Sequence, residues 1–222
     1  MKIQFAIATI CLACEAFCCF SQGFLNLNFE SATILSTHTA SILGWTVNAP
    51  NYVNGDPNSI PYNDIALDVP AVNLEGTDAP APSIQAIQGN YSIFMQGGSH
   101  SSPITNGASM MQTGQFPVFA KSMTYWGTTL QVTFNSQLLP FNAISSTSNY
   151  TVWGADISAY AGQTGQLMFA VPWQGWAMLD NIKISSLPIP EPGSIALLVA
   201  GGLLGAWRWR RAICRGGGVG LP

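Results

Sequence analysis

The sequence predicts an all-β sandwich over residues 23–186, and three observations support that prediction. No stretch of this region keeps the three-and-four-residue apolar spacing of an amphipathic helix. Short runs rich in β-branched and aromatic residues recur instead, and clusters of Gly, Asn, Pro and Asp separate them. Many short strands at this spacing are typical of a sandwich.

Seven runs have strand character, and one stretch lacks it. The predicted strands cover residues 25–29, 91–95, 122–126, 130–134, 150–153, 166–171 and 177–184. Residues 70–82 contain three prolines and little strand character, so they are predicted to form one long surface loop.

Charge is scarce and unevenly placed. Residues 23–187 hold two lysines, no arginine and eight carboxylates, so the folded region is acidic. A negative surface without a basic patch repels phosphate backbones, which makes a nucleic-acid partner a poor prediction. The five cysteines all lie outside residues 23–186, which excludes a disulfide framework or a thiolate metal site in the domain.

The N-terminal 22 residues have the pattern of a secretory signal peptide. Lys2 gives a small positive charge, residues 3–20 are largely apolar, and Ser21 and Gln22 offer positions for cleavage by signal peptidase. The alternative is a buried first helix of the domain, but no helical period continues after it.

The C-terminal end has three consecutive parts. A proline-rich linker covers residues 187–193, an uncharged apolar run covers 194–207, and a basic tail covers 208–222. The apolar run would span roughly 21 Å as a helix, which is short for a membrane anchor. The arginines after it favour a cytoplasmic tail, with the domain outside the membrane.

The order of these parts resembles the PEP-CTERM sorting domain. It comprises a Pro-Glu-Pro signature, a short apolar helix and a basic cluster, here Pro190, Glu191 and Pro192 followed by Arg208, Arg210 and Arg211. The resemblance implies that an exosortase, a membrane transpeptidase of Gram-negative-type bacteria that make exopolysaccharide, removes the anchor. Residues 215–222 depart from the family, whose members usually end soon after the basic cluster.

A second resemblance concerns the two ends of the β region. Residues 26–30, 153–169 and 179–184 resemble the galactose-binding-like jelly roll of carbohydrate-binding modules. In that family the first and last strands are adjacent, and an acidic residue from each often holds a structural calcium ion. The matching positions are Glu30 and Asp180, and calcium prefers such hard oxygen ligands. The alternative is that Asp180 caps a turn and Glu30 is solvated.

The stretch from Trp173 to Trp176 is the candidate ligand-binding loop. A glycine between two tryptophans indicates a loop tip, where an indole can stack on a sugar ring and Gln174 can bond a hydroxyl. The alternative is that both tryptophans belong to the core.

No catalytic signature occurs in the sequence. His38 and His100 are isolated from other metal-ligand residues, and Asp56, Asp64, Asp68, Glu75 and Asp78 fall in stretches predicted as solvated loops. The sequence therefore predicts a non-enzymatic exported protein, anchored briefly and then released to the cell surface or matrix, with a β-sandwich that contacts polysaccharide. The alternatives are a secreted glycan-active hydrolase and a purely structural matrix protein.

Overall fold

The computed structural model describes residues 23–49, 59–64, 69–79, 85–99 and 106–189. The predicted signal peptide, the Pro190–Glu191–Pro192 motif, the anchor helix and the basic tail lie outside the described residues. Across the part of the chain that is described, no helix combines the length and the apolar character that crossing a membrane requires.

Within these ranges the chain forms strands and one 3₁₀ turn at Ser158–Tyr160. The strands are β1 Ala32–Ser36, β2 Thr39–Ile42, β3 Thr46–Asn48, β4 Ser59–Pro61, β5 Pro70–Gly76, β6 Tyr91–Gly97, β7 Ala108–Gln115, β8 Ser122–Gly127, β9 Gln131–Phe134, β10 Gln137–Leu138, β11 Asn142–Ser146, β12 Thr151–Asp156, β13 Thr164–Val171 and β14 Trp176–Ser185.

Two antiparallel sheets enclose the core, which confirms the predicted all-β sandwich. One sheet has the order β10-β9-β13-β7-β3 and the other has the order β11-β12-β8-β14-β6-β5. From β6 onward the chain passes repeatedly between them, since β6, β8, β12 and β14 belong to the second sheet and β7, β9 and β13 to the first. A small sheet, β1-β2-β4, adjoins the edge strand β5 of the second sheet.

Alternation along the strands builds the core. On β13, Leu167 and Phe169 are fully buried, while Gln166 is exposed and Met168 is half-buried. Tyr125 on β8 meets Phe169 edge to face across the sandwich, with 5.9 Å between ring centroids. Its hydroxyl oxygen accepts the N–H of Leu130 at 3.2 Å, so the one polar atom of this buried ring has a partner. Burying a side chain of this size contributes roughly 1.5–3 kcal/mol.

Residues 23–31 dock against the end of the sandwich and place Glu30. Phe29 is fully buried beside Trp45, and the Trp45 indole N–H donates to the carbonyl of Asn26. The N–H of Ile182 on β14 donates to the carbonyl of Leu27 at 2.9 Å. The start and the end of the domain are therefore adjacent.

Two of the predicted elements are wrong. Residues 25–29 form irregular structure and a turn instead of a strand, because Asn26 and Phe29 adopt positive φ angles of 47° and 60°. In place of the predicted loop, Pro70–Gly76 forms the fully buried strand β5. Pro70 is tolerated there because it begins an edge strand. The other six predicted strands are confirmed as β6, β8, β9, β12, β13 and β14, with boundary shifts of a few residues.

Candidate functional site

Glu30 and Asp180 line one small cavity of about 100 Å³. Glu30 lies in the turn that follows the buried Phe29, whereas Asp180 lies on β14 and is only 1% exposed. The pairing of β14 with β8 is irregular between Asp180 and Lys183, and Asn181 adopts a φ of +48° there. Such an irregularity redirects a side chain, and Asn tolerates this left-handed conformation.

Both carboxylates hold the same short segment, residues 88–92. The Oε1 atom of Glu30 accepts the backbone N–H groups of Asn90 at 2.9 Å and Tyr91 at 3.3 Å. The Oδ2 atom of Asp180 accepts the N–H of Gln88 at 3.0 Å and the hydroxyl of Ser92 at 2.8 Å. Residues 88–92 are thereby tied to both ends of the domain.

The electrostatics of Asp180 are those of a buried acid. Burial raises its pKa from 3.8 to about 6, against the opposing effect of the hydrogen bonds from Ser92, Asn181 and Gln88. The nearby charge of Glu30 raises the pKa further. A cation between the two carboxylates would remove this repulsion and favour the charged form of Asp180.

The residues of this cavity fit a hard cation such as calcium. They offer two carboxylates, and the side-chain nitrogen of the buried Asn181 has no hydrogen-bond partner. Since amide O and N are interchanged by a half-turn of the side chain, the same residue can present an oxygen to a metal. Within the described ranges, no three His, Cys, Asp or Glu residues group closely enough for a metal site. Any metal here would be held by the carboxylate pair and neutral oxygens, which is calcium chemistry.

The candidate ligand-binding loop joins β13 to β14 and lies elsewhere on the molecule. Trp176 is 61% exposed and Trp173 is 38% exposed, so neither belongs to the core. Gln174 is exposed, with a φ of +64°. The loop is tied to the end of β6, because the N–H of Gly97 donates to the carbonyl of Gly175 at 2.7 Å. A Cβ at Gly97 would lie 1.9 Å from the carbonyl oxygen of Pro172, so this approach requires glycine.

Glu75 overturns its prediction as a solvated loop residue. It is fully buried on β5, and neither carboxylate oxygen has a hydrogen-bond partner. Burial, and secondarily the charge of Asp64, raises its pKa from 4.5 to about 8. Asn73, two positions earlier on the same face, is also buried with both polar side-chain atoms unpaired. The alternation of Val72 and Leu74 toward the core was the sequence signal for this strand, but the prolines around it obscured the signal.

A groove that the sequence did not predict lies near the small sheet. It brings together His38, Tyr62, Asn63, Asp78 and Tyr91, which are far apart in the chain. His38 is isolated in sequence, and nothing local indicates its neighbours. His100 lies outside the described residues.

The chain was compared with solved structures, with curated proteins and with protein families. Among solved structures, it resembles the Stig cyclase Fisc from Fischerella sp. TAU, with 14% sequence identity and a TM-score of 0.45. That match covers 77% of this chain and 98% of the cyclase chain. A second cyclase from Fischerella sp. TAU is 14% identical over the same shares, with a TM-score of 0.46. At this level the likeness carries no information about activity. No curated protein matches this sequence.

The C-terminal end of the chain matches a protein-family model. The match begins just after β14 and continues through the Pro-Glu-Pro sequence and the apolar run to the arginines. A tag of this type implies an exported protein that is sorted through a C-terminal membrane anchor. Residues 188–211 match the family model of the PEP-CTERM protein-sorting motif.

Proposed function

We propose that this protein is a non-catalytic surface or matrix protein of a Gram-negative-type bacterium. A signal peptidase removes residues 1–22, and an exosortase cuts at the motif that contains Pro190, Glu191 and Pro192. The basic cluster of Arg208, Arg210 and Arg211 holds the tail on the cytoplasmic side until then. The released β-sandwich contacts extracellular polysaccharide.

The binding half of this proposal rests on one observation, the exposure of Trp176. Trp176 is the first residue of β14, and its indole is 61% exposed, so a large apolar surface lies in water. The loop that precedes it is fixed to β6 by the bond from Gly97 to Gly175. A sugar ring has an apolar CH face that stacks on an indole, and a rigid aromatic side chain loses little entropy on binding. Gln174 on the same loop supplies an amide for a hydroxyl group.

A calcium ion held by Glu30 and Asp180 is the second part of the proposal. When bound, it would fix the N-terminal turn to β14 and stabilise the domain outside the cell. The unpaired side-chain nitrogen of Asn181, whose place an oxygen takes after a half-turn of the amide, and the repulsion that the Glu30 charge exerts on Asp180 support a cation at this position.

The carboxylate pair favours a structural role over glycan hydrolysis. A glycosidase places its two carboxyl groups on either side of a bound sugar, in a site that admits the chain. Ligand pockets typically measure about 300–1,000 Å³. The cavity of about 100 Å³ between Glu30 and Asp180 is too small for that purpose, and both acids already accept backbone hydrogen bonds.

Localisation in two strains tests the sorting half. The full chain, tagged within the exposed turn at Ser148, is expressed in a bacterium that has an exosortase and in the same strain without it. We expect a shorter, released form only where the enzyme is present, and an uncleaved membrane form for a variant with Pro190, Glu191 and Pro192 replaced by alanine. Equal size and equal retention in both strains would refute exosortase processing.

A further inference from the structure

The groove near the small sheet has the size and the lining of a ligand site. Its volume is about 560 Å³, within the usual range for small-molecule pockets of about 300–1,000 Å³. The β1–β2 hairpin supplies Ile34, Ser36, Thr37 and His38 to its lining. The rest of the described lining consists of Tyr62, Asn63, Asp78 and Tyr91.

Two tyrosines form its aromatic wall. The rings of Tyr62 and Tyr91 meet edge to face, with centroids 6.3 Å apart and planes inclined by 67°. Tyr62 is buried, whereas Tyr91 is half-buried and lines the groove, so part of its side chain is accessible there. Because Glu30 accepts the N–H of Tyr91, the backbone that carries this ring is fixed.

Asp78 is a fixed hydrogen-bond acceptor beside that wall. Its Oδ1 atom accepts the hydroxyl of Tyr62 at 2.5 Å and the side-chain N–H of Asn63 at 3.0 Å. These two bonds, that from Tyr62 first, lower the pKa of Asp78, so the group is a carboxylate at neutral pH. Both bonds fall on Oδ1, which leaves Oδ2 to accept hydroxyl groups from a ligand.

The remaining polar groups suit an uncharged ligand. The lining offers the hydroxyls of Ser36, Thr37 and Tyr91 and the ring nitrogens of His38. Among the lining residues that the structure describes there is one carboxylate and neither lysine nor arginine, so this part of the groove would repel an anionic ligand without compensation.

We propose that this groove binds a neutral saccharide, whose ring stacks on Tyr91 and whose adjacent hydroxyls bond Asp78. The inference rests on the proposed function for the class of ligand. It places the binding site away from the candidate ligand-binding loop between Trp173 and Trp176, called the tryptophan loop below. Tyr91 begins β6 and Gly97, which holds that loop, ends it, so roughly 20 Å of strand separates the two places.

Titration of the full-length chain in detergent and calcium tests the groove. The probes are cellohexaose and mannohexaose, with a hexamer of mannuronic acid as the anionic comparison. We expect at least one neutral hexamer to bind, and Asp78→Asn and Tyr91→Ala each to raise its Kd at least tenfold. Tyr91→Phe keeps the ring and should lose less than Tyr91→Ala. Unchanged thermal unfolding of each variant establishes that the fold is intact.

The double variant Trp173→Ala/Trp176→Ala separates this inference from the proposed function. If the groove variants weaken binding and the double variant does not, the groove is the binding site. If only the double variant weakens binding, the groove proposal is overturned and the tryptophan loop stands. If neither neutral hexamer binds, or the anionic hexamer binds more tightly, the groove proposal is also overturned, whereas exosortase processing is decided separately by the strain comparison.

Discussion

Glu30 and Asp180 come from opposite ends of the domain and hold the same segment of chain, residues 88–92, through five hydrogen bonds. The N-terminal turn, the last strand and residues 88–89, just before β6, all line this cavity, and Tyr91 at the start of β6 lines the groove. A change in the charge of either acid should therefore affect the stability of the whole domain.

The calcium proposal predicts a stabilisation that depends on Asp180. At a calcium concentration 100 times the Kd, binding to the folded state contributes about 2.7 kcal/mol, which raises the Tm by roughly 5–10 °C. Asp180→Asn should abolish this shift, because it removes one of the two carboxylates. Thermal unfolding with calcium and with a chelator measures the shift. Asp156→Asn is the matched control, since that exposed acid bonds Ser158 away from the cavity. An equal calcium shift in the Asp180 variant would exclude the site.

Acid should release the metal. Burial raises the folded pKa of Asp180 from 3.8 to about 6, and calcium competes with the proton for this carboxylate. We expect calcium affinity to fall as the pH is lowered through about 6 and to level off above it. Calorimetric titrations between pH 5 and pH 8 measure this dependence. An affinity that is constant across this range would show that Asp180 is not a ligand.

Predictions from sequence succeeded where a local pattern determines the structure. The strand-like runs at residues 166–171 and 177–184 correspond to β13 and β14; one face of β13 packs in the core, and residues 177–182 of β14 are buried throughout. The resemblance at the two ends of the domain also indicated that Glu30 and Asp180 come together. Nothing in the sequence indicated that residues 88–92 bond these two acids, since the acids are distant from this segment in the chain.

The failures have a common cause in tertiary contacts. Pro70–Gly76 looks like a loop by composition, but pairing along β6 and burial of Val72 and Leu74 stabilise it as an edge strand. The groove residues His38 and Asp78 lie in separate turns, and only the fold brings them together. A single sequence contains no pattern for such a site.

Because the carboxyl group of Glu75 is buried, we expect the domain to lose stability as the pH rises. Its folded pKa is raised from 4.5 to about 8 by burial, so the folded protein keeps the proton that the unfolded chain releases. The contribution of this group is fully present below pH 4.5 and is lost as the pH rises to about 8, with a slope of at most about 1.4 kcal/mol per pH unit. Glu75→Gln should flatten this dependence and unfold at higher urea concentration than the wild type at pH 8. The control is again Asp156→Asn. Urea denaturation at several pH values measures the free energy of unfolding of both proteins. An equal fall of this free energy with rising pH in wild type and Glu75→Gln would contradict the prediction.

The tryptophan loop predicts a loss of polysaccharide binding without a loss of stability. Replacing Trp176 with alanine removes an exposed stacking surface, and we expect retention on an exopolysaccharide affinity gel to fall roughly tenfold, which corresponds to about 1.4 kcal/mol. Phe119→Ala is a matched control, because Phe119 is also 61% exposed but lies between β7 and β8. Equal retention of the two variants would mean that the loop makes no specific contact.

Alanine substitutions at Gly89 and Gly162 separate the cost of backbone strain from an effect on the candidate metal site. Its φ is +67°, and a Cβ there would lie 2.1 Å from the Oε1 atom of Glu30. Gly162 has a similar φ of +75°, but its nearest neighbour would be a methyl group of Val118 at 3.3 Å. Alanine at either position costs roughly 1–2 kcal/mol for the left-handed conformation. Only Gly89→Ala must also displace the carboxylate, so we expect it alone to lose the calcium-induced rise in Tm. Thermal unfolding of both variants with calcium and with chelator gives the comparison, and a full calcium response in Gly89→Ala would show that Glu30 does not bind the metal from its observed position.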